Sequence, residues 1–175
     1  MSYRAKYTWL VGVVMIFSLG GQAPAAYKNV NPKDAALRAV KSFYTFHLAR
    51  KRDFNVPNVR LRKRWLTLEL YNALLGELKR EEKERKAHPD EAPYFEGDPL
   101  TDSQEPPDSF RVGTAEVNGD LAKVTVTLLW SARTSRGRDK RDIVVEVAKG
   151  ATGWLINDIV NSDGSRLRDE LKRER

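Results

Sequence analysis

Cysteine is absent from this 175-residue chain. That excludes disulfide staples, thiol nucleophiles, thiolate zinc sites and lipid attachment through an N-terminal cysteine. It does not fix the compartment, because an oxidising space permits disulfides without requiring them. Histidine is nearly as scarce: His47 and His88 stand 41 positions apart, so a conventional zinc site finds no ligand set. No G-x-S-x-G elbow, P-loop or G-x-G-x-x-G fingerprint is present, which removes the usual support for hydrolase, nucleotidase and dehydrogenase chemistry. Apolar runs are short. The longest, Trp9–Gly21, is well under the roughly 20 residues that span a bilayer. Repeats of useful length are missing as well.

What is present is an ordinary globular composition, 41% hydrophobic and 31% charged, with a formal net charge of +7. The length allows one domain. Residues 1–25 read as a secretory signal: Arg4 and Lys6 precede the apolar run, and Ala23-Pro24-Ala25 puts small residues at −3 and −1 of a cleavage site. An uncleaved anchor is the competing reading. Cleavage would lower the charge by two and leave a periplasmic or secreted protein without a membrane span. Such a protein meets lipid headgroups, wall polymers and other proteins rather than nucleic acid.

The mature chain divides at Phe95–Glu105. Before this stretch apolar residues recur at helical spacing. Asn31-Pro32 is a helix start, with Asn31 as N-cap and Pro32 where its missing N–H costs nothing. Leu37, Val40, Tyr44 and His47/Leu48 continue at three- and four-residue steps, with Phe43 and Phe46 widening the face, and predict an amphipathic helix to about Arg50. Lys51–Asn58 breaks the pattern at Pro57. A second helix starts near Thr67, with Leu66 set to staple onto Tyr71 and with Leu68, Tyr71, Leu74/Leu75 and Leu78 as the buried stripe. Its last turns, Lys79–Lys86, are all charged, and His88-Pro89 ends it. Residues 89–109 hold five of the eight prolines and predict a long irregular loop.

After the loop the pattern has period two. Phe110–Val117 is a strand, and Asn118-Gly119-Asp120 is a hairpin turn. In Leu121–Ala132, the residues Ala122, Val124, Val126, Leu128 and Trp130 share one face, opposite Lys123, Thr125, Thr127 and Ser131. Ile143–Ala148 and Trp154–Val160 complete a four-stranded meander. Residues 26–165 then form a single α+β domain, two main helices on an antiparallel sheet, with 166–175 as a charged C-terminal tail.

Gly97-Asp98-Pro99-Leu100-Thr101-Asp102-Ser103-Gln104, the alternating strand pair, and Gly153-Trp154-Leu155-Ile156-Asn157-Asp158-Ile159 resemble DUF3828-type bacterial exported proteins. These are similar to the nuclear-transport-factor-2-like (NTF2-like, cystatin-like α+β) superfamily. The resemblance covers most of the mature chain, including Leu167 and Leu171. It implies helices packed into a strongly curved sheet, with a pocket on the concave side, but no activity. Glu105 follows Gln104 where the family pattern leads us to expect aspartate.

The candidate chemistry is sparse. Glu96, Asp98, Asp102, Glu105 and Asp108 form an oxygen-rich loop of the kind calcium prefers. Their spacing does not match an EF-hand, however, and capping and Asx turns account for such residues without metal. No metal and no cofactor is expected. Asp158 has three readings: a carboxylate on an apolar wall able to act as acid or base, a solvated surface group, or the partner of an arginine that anchors the sheet. His47 borders the apolar stripe of the first helix and reads as an amphipathic residue rather than a base. The basic runs Arg60–Arg64 and Arg133–Arg141 could meet phosphates or acidic lipid and wall polymers, but solvated loops are the default reading. Without interleaved aromatics beyond Trp65, they give no support to sequence-specific nucleic-acid binding.

Together these features predict an exported binding module for an unknown small molecule or protein. Its pocket would be lined by Tyr44, Tyr71, Trp130, Trp154 and Asp158, with Asp98, Asp102 and Gln104 at the mouth. The alternatives are a proton-transfer or hydrolytic enzyme in the same pocket, with Asp158 as the catalytic candidate, and an immunity-like protein acting through surface loops. A homodimer through a sheet edge is compatible with any of them.

Overall fold

A computed structural model of the chain describes residues 31–50, 53–131 and 139–173. The proposed signal sequence and most of the second basic run lie outside them. The chain is α+β: three helices, a four-stranded antiparallel meander in the order β1-β2-β3-β4, and a short last helix.

Helix α1 (Pro32–Leu48) starts as expected, with the Asn31 side chain accepting from Lys33 N. Its buried line is Ala36, Val40, Phe43, Tyr44 and His47. The stripe is therefore turned from the expected one, and Leu37 and Leu48 lie at its half-buried margin. Helix α2 (Val56–Arg62) occupies the stretch expected to be irregular. Pro57 does end any continuation of α1, but it also sits in the first turn of a new helix capped by Asn55, whose side chain accepts from Asn58 N at 3.0 Å. A single 3₁₀ turn, Lys63–Trp65, leads to Thr67, which caps helix α3 (Leu68–Ala87) through Leu70 N. The fully buried positions of α3 are Leu70, Leu74 and Glu77, and Leu68, expected inside, is exposed.

The strands are β1 (Ser109–Asn118), β2 (Leu121–Trp130), β3 (Asp139–Gly150) and β4 (Gly153–Val160). Asp139–Arg141, expected in a turn, begin β3. Ala122, Val124, Val126 and Leu128 of β2 join Ile143, Val145 and Val147 of β3 on the face that α1 covers. Two register shifts disturb the alternation. Between Val112 and Ala115 an extra residue enters β1, and at Asn157 an extra residue enters β4. Each reverses the faces beyond it, since a one-residue offset moves every later side chain across the sheet.

The β4 shift corrects the strand's expected period. Ile156 pairs with Val147 and Ile159 with Val145, so both isoleucines enter the core. Asp158 pairs with Glu146 and lies on the opposite face.

The free edge of β4 is not left bare. Leu66 bridges Ile156 in parallel sense, Thr67 N donates to Ile156 O at 2.8 Å, and Val160 bridges Arg166. Covering an edge in this way removes a template for unwanted strand pairing. Residues 166–173, expected to be a charged extension, are part of the domain. Helix α4 (Leu167–Glu170) and the next residue place Leu167 and Leu171 in the core, at 1% and 2% exposure. Arg80 on α3 donates to Leu171 O and pairs with buried Glu77, which ties the tail to α3. Among the described residues, no helix is long and apolar enough to cross a membrane.

Candidate functional site

The loop from Tyr94 to Asp108 folds over one end of the sheet's core face, and its shape follows from a few local bonds. The Asp98 backbone bridges Ser103, with Asp98 N donating to Ser103 O at 2.9 Å. Its Oδ1 accepts from Leu100 N at 3.0 Å, an Asx turn that buries Leu100 and Thr101. Gly97 is needed where the two arms cross. A Cβ there would lie 2.3 Å from Ser103 O and 2.6 Å from Gln104 Cα. Asp102 takes φ +48°, the left-handed region that aspartate tolerates better than most side chains. Its carboxylate and carbonyl both accept from Arg141 of β3.

Beneath this loop lies the most unusual feature of the chain. His47, at 1% exposure, makes a 2.6 Å contact from Nε2 to Asp98 Oδ2. Its other ring nitrogen, Nδ1, lies 2.6 Å from Nε of Arg62, itself at 2% exposure. A guanidinium can only donate, so Nδ1 accepts, and the imidazole hydrogen sits on Nε2 and is donated to Asp98. Arg62 also donates to Asn58 O at 2.8 Å and to His47 O at 3.5 Å. A buried cation, an imidazole and a buried carboxylate thus run in line from α2 through α1 to the loop. Phe43 stacks on the His47 ring with an interplanar angle of 11°, shutting out solvent on that side.

Tyr44 stands beside the relay. Its hydroxyl donates to Leu100 O at 3.0 Å. Burial, reinforced by the negative charge of Asp98, pushes its phenol well above the usual tyrosine value. Tyr44 and His47 are therefore struts under the loop. They are not pocket walls.

Above the relay is an open cleft of about 1160 Å³. Asp98, Ser103 and Gln104 meet it from the loop, and Trp130, Lys140 and Arg141 from the sheet end. Trp130 donates from Nε1 to Glu105 O at 2.9 Å, and the Arg141 guanidinium lies 5.7 Å from its ring centre. The loop carboxylates already have partners: Glu96 accepts from Gln104, Asp102 from Arg141, and Asp108 from Ser131 N. Among the described residues, no group of three or more His, Asp or Glu side chains is placed to hold a metal ion.

The expected pocket residues do not converge. Asp98, Asp102, Gln104 and Trp130 do line one cleft. Trp154 shares a sheet face with Trp130 but at the other end. Trp130 pairs with Asp139 and Trp154 with Lys149, the two ends of β3, which at the strand rise of 3.3 Å per residue puts them roughly 30 Å apart. Tyr71 is half-buried on α3, with Lys63 Nζ 5.3 Å from its ring centre.

Asp158 is buried on the far face and fully engaged. Oδ1 accepts from Ile159 N and Arg168 N, and Oδ2 pairs with Arg166 at 2.8 Å. Arg166 also makes a two-pronged contact with Glu146, holding that carboxyl below the usual glutamate range. Of the three readings for Asp158, the sheet-anchoring ion pair is the one present. The general-base reading loses the cleft it would need.

Sequence reasoning missed Arg62, which was grouped with its exposed neighbours. The available signal was its phase: Arg62 follows Val59 by three residues behind the Asn55-Val56-Pro57 start, so both fall on the inward side of α2.

No protein-family model matches the chain, and no curated protein matches it. Among solved structures it is similar to the crystal structure of a protein of unknown function from Bacteroides thetaiotaomicron VPI-5482. The identity is 20%, over 73% of this chain and 89% of that one, with a TM-score of 0.41.

Proposed function

We propose that this chain is an exported, periplasmic or secreted binding module of NTF2-like architecture that takes a small polar ligand in the cleft between the 94–108 loop and the β2–β3 end. The two register shifts support the curved-sheet part of the reading, since a bulge bends the strand that carries it. One observation carries the ligand part. A buried relay holds an exposed polar loop in a fixed geometry against Trp130 and Arg141. A loop pinned from beneath presents Ser103 and Gln104, opposite Lys140 of β3, with a reduced ordering cost on binding. Because the carboxylates are already hydrogen-bonded, the cleft offers mixed donors and acceptors around one aromatic face. That suits a hydrogen-bonding organic ligand better than a bare cation.

A thermal-shift screen of small polar compounds against the full chain tests this, with Trp130→Ala and Gln104→Ala as paired variants. The expected hits raise the Tm of the wild type and lose that effect in the variants. Hits that stabilise wild type and variants equally would overturn the cleft as the site.

A second reading, a proton-transfer enzyme, is favoured by a single contact: Asp98 lines the cleft with His47 directly behind it. It replaces Asp158 with Asp98 as the catalytic candidate. Asp98→Asn would then abolish turnover of any substrate found, at saturating substrate as well as below it. Retained turnover would sink the idea.

A further inference from the structure

The outward side of α2 and the turn that follows carries a pattern the cleft does not explain. Pro57, Arg60, Leu61 and Arg64 fall at helical spacing on the solvent side, with Lys63 beside them. Leu61 is 57% exposed and Leu68, a few residues on, is 63% exposed. These are two of only four large hydrophobic side chains so exposed among the described residues. Three cations, Arg60, Lys63 and Arg64, neighbour them in the sequence. Arg60, Lys63 and Arg64 make no ion pair among the described residues, and neither does Arg50, across the Phe46–Trp65 ring pair. The guanidinium of Arg64 lies 3.8 Å from the Trp65 ring centre and that of Arg50 5.4 Å from the Phe46 ring centre, so their charges are held at the surface. From Arg50 to Glu69 the sequence holds only two carboxylates, Asp53 and Glu69.

We infer that this face docks on an anionic phospholipid surface. The cations would meet headgroup phosphates, and Leu61 and Leu68 would enter the boundary between headgroups and acyl chains. A soluble polyanion would use the charges alone and leave both leucines in water. A bilayer uses both, as interfacial amphipathic helices do. Two features keep the patch rigid. Arg62 points inward from the same helix into the buried relay, and Trp65 donates from Nε1 to Ser42 Oγ at 3.2 Å. The docking face and the cleft loop are therefore joined through one arginine.

The test is vesicle co-sedimentation of the full chain with phosphatidylcholine vesicles, with and without about 30% phosphatidylglycerol. Comparing variants cancels any contribution from the N-terminal apolar run, which all of them share. Wild type is expected to prefer the anionic vesicles and to lose that preference as salt rises. Arg60→Gln/Lys63→Gln/Arg64→Gln should weaken anionic binding roughly 100-fold, at about fivefold per cation. Leu61→Ser/Leu68→Ser, which keeps every charge, should weaken it about tenfold. Far-UV circular dichroism on both variants checks folding. Equal affinity of wild type and the charge variant for anionic vesicles would overturn the proposal. So would a leucine variant that binds like wild type, which would instead mark a site for a soluble polyanion.

Discussion

Replacing Arg62 with methionine probes the buried relay directly. The substitution keeps a long side chain but removes the donors to His47 Nδ1, Asn58 O and His47 O. It also leaves the Asp98 carboxylate buried without its compensating cation. Breaking a buried charged network by deleting one member costs about 3–5 kcal/mol. A total stability of about 5–15 kcal/mol makes that a large fraction. At roughly 4 °C per kcal/mol for a domain of this size, the Tm should fall by about 12–20 °C. Urea unfolding followed by far-UV circular dichroism gives the same quantity at 25 °C. A cycle with Asp98→Asn supplies the sharper test. Arg62 reaches Asp98 through the His47 ring, so a coupling above about 1 kcal/mol would report the relay. If Arg62→Met changed stability by less than about 0.5 kcal/mol, the usual range for a solvated surface residue, the relay would be refuted. Strict additivity of the two substitutions would refute it too.

The remaining expectations are shorter. Gly97→Ala should cost about 1–3 kcal/mol and loosen the cleft loop, because its Cβ would meet Ser103 O and Gln104 Cα; equal Tm values would show that the two arms do not cross so closely. Leu171→Ala should cost about 2–5 kcal/mol by urea unfolding, and a change near zero would return the C-terminal residues to the status of a tail. Glu146→Gln should show a pH signature. The Arg166 contact holds the folded-state Glu146 below the ordinary value of 4.5, so its stabilisation is present above that value and lost as pH falls through the folded-state value. The stability gap between wild type and Glu146→Gln should therefore be constant near neutrality and close under acid; a gap independent of pH would reject the ion pair as its source.

Much of the fold could be read from the order of residues, because local rules decide it. Asn31-Pro32 and Thr67 cap helices by contacts within three residues, and they do so in the folded chain. The alternation from Ala122 to Trp130 fixed β2 and its core face, since a strand with one dry face has little freedom. Asn118-Gly119-Asp120 joined β1 to β2, with Gly119 at φ +60°. The site was legible only in part. Asp98, Asp102 and Gln104 were singled out because a proline-rich loop of carboxylates is conspicuous, and Trp130 because it closed an apolar face.

What the sequence alone determined, then, was the two main helices, the meander and the loop between them, all drawn from patterns a few residues long. Tertiary structure alone decided the rest. A single inserted residue at Asn157 moved Asp158 from the core side to the outer face, and no propensity distinguishes a bulge from a regular strand. Arg62 became buried because α2 docks beside α1, where His47 and, 51 residues later in the chain, Asp98 offer it partners. A buried charge is tolerated only where partners from other elements meet it. Such partners are set by packing, and spacing along the chain carries no record of them.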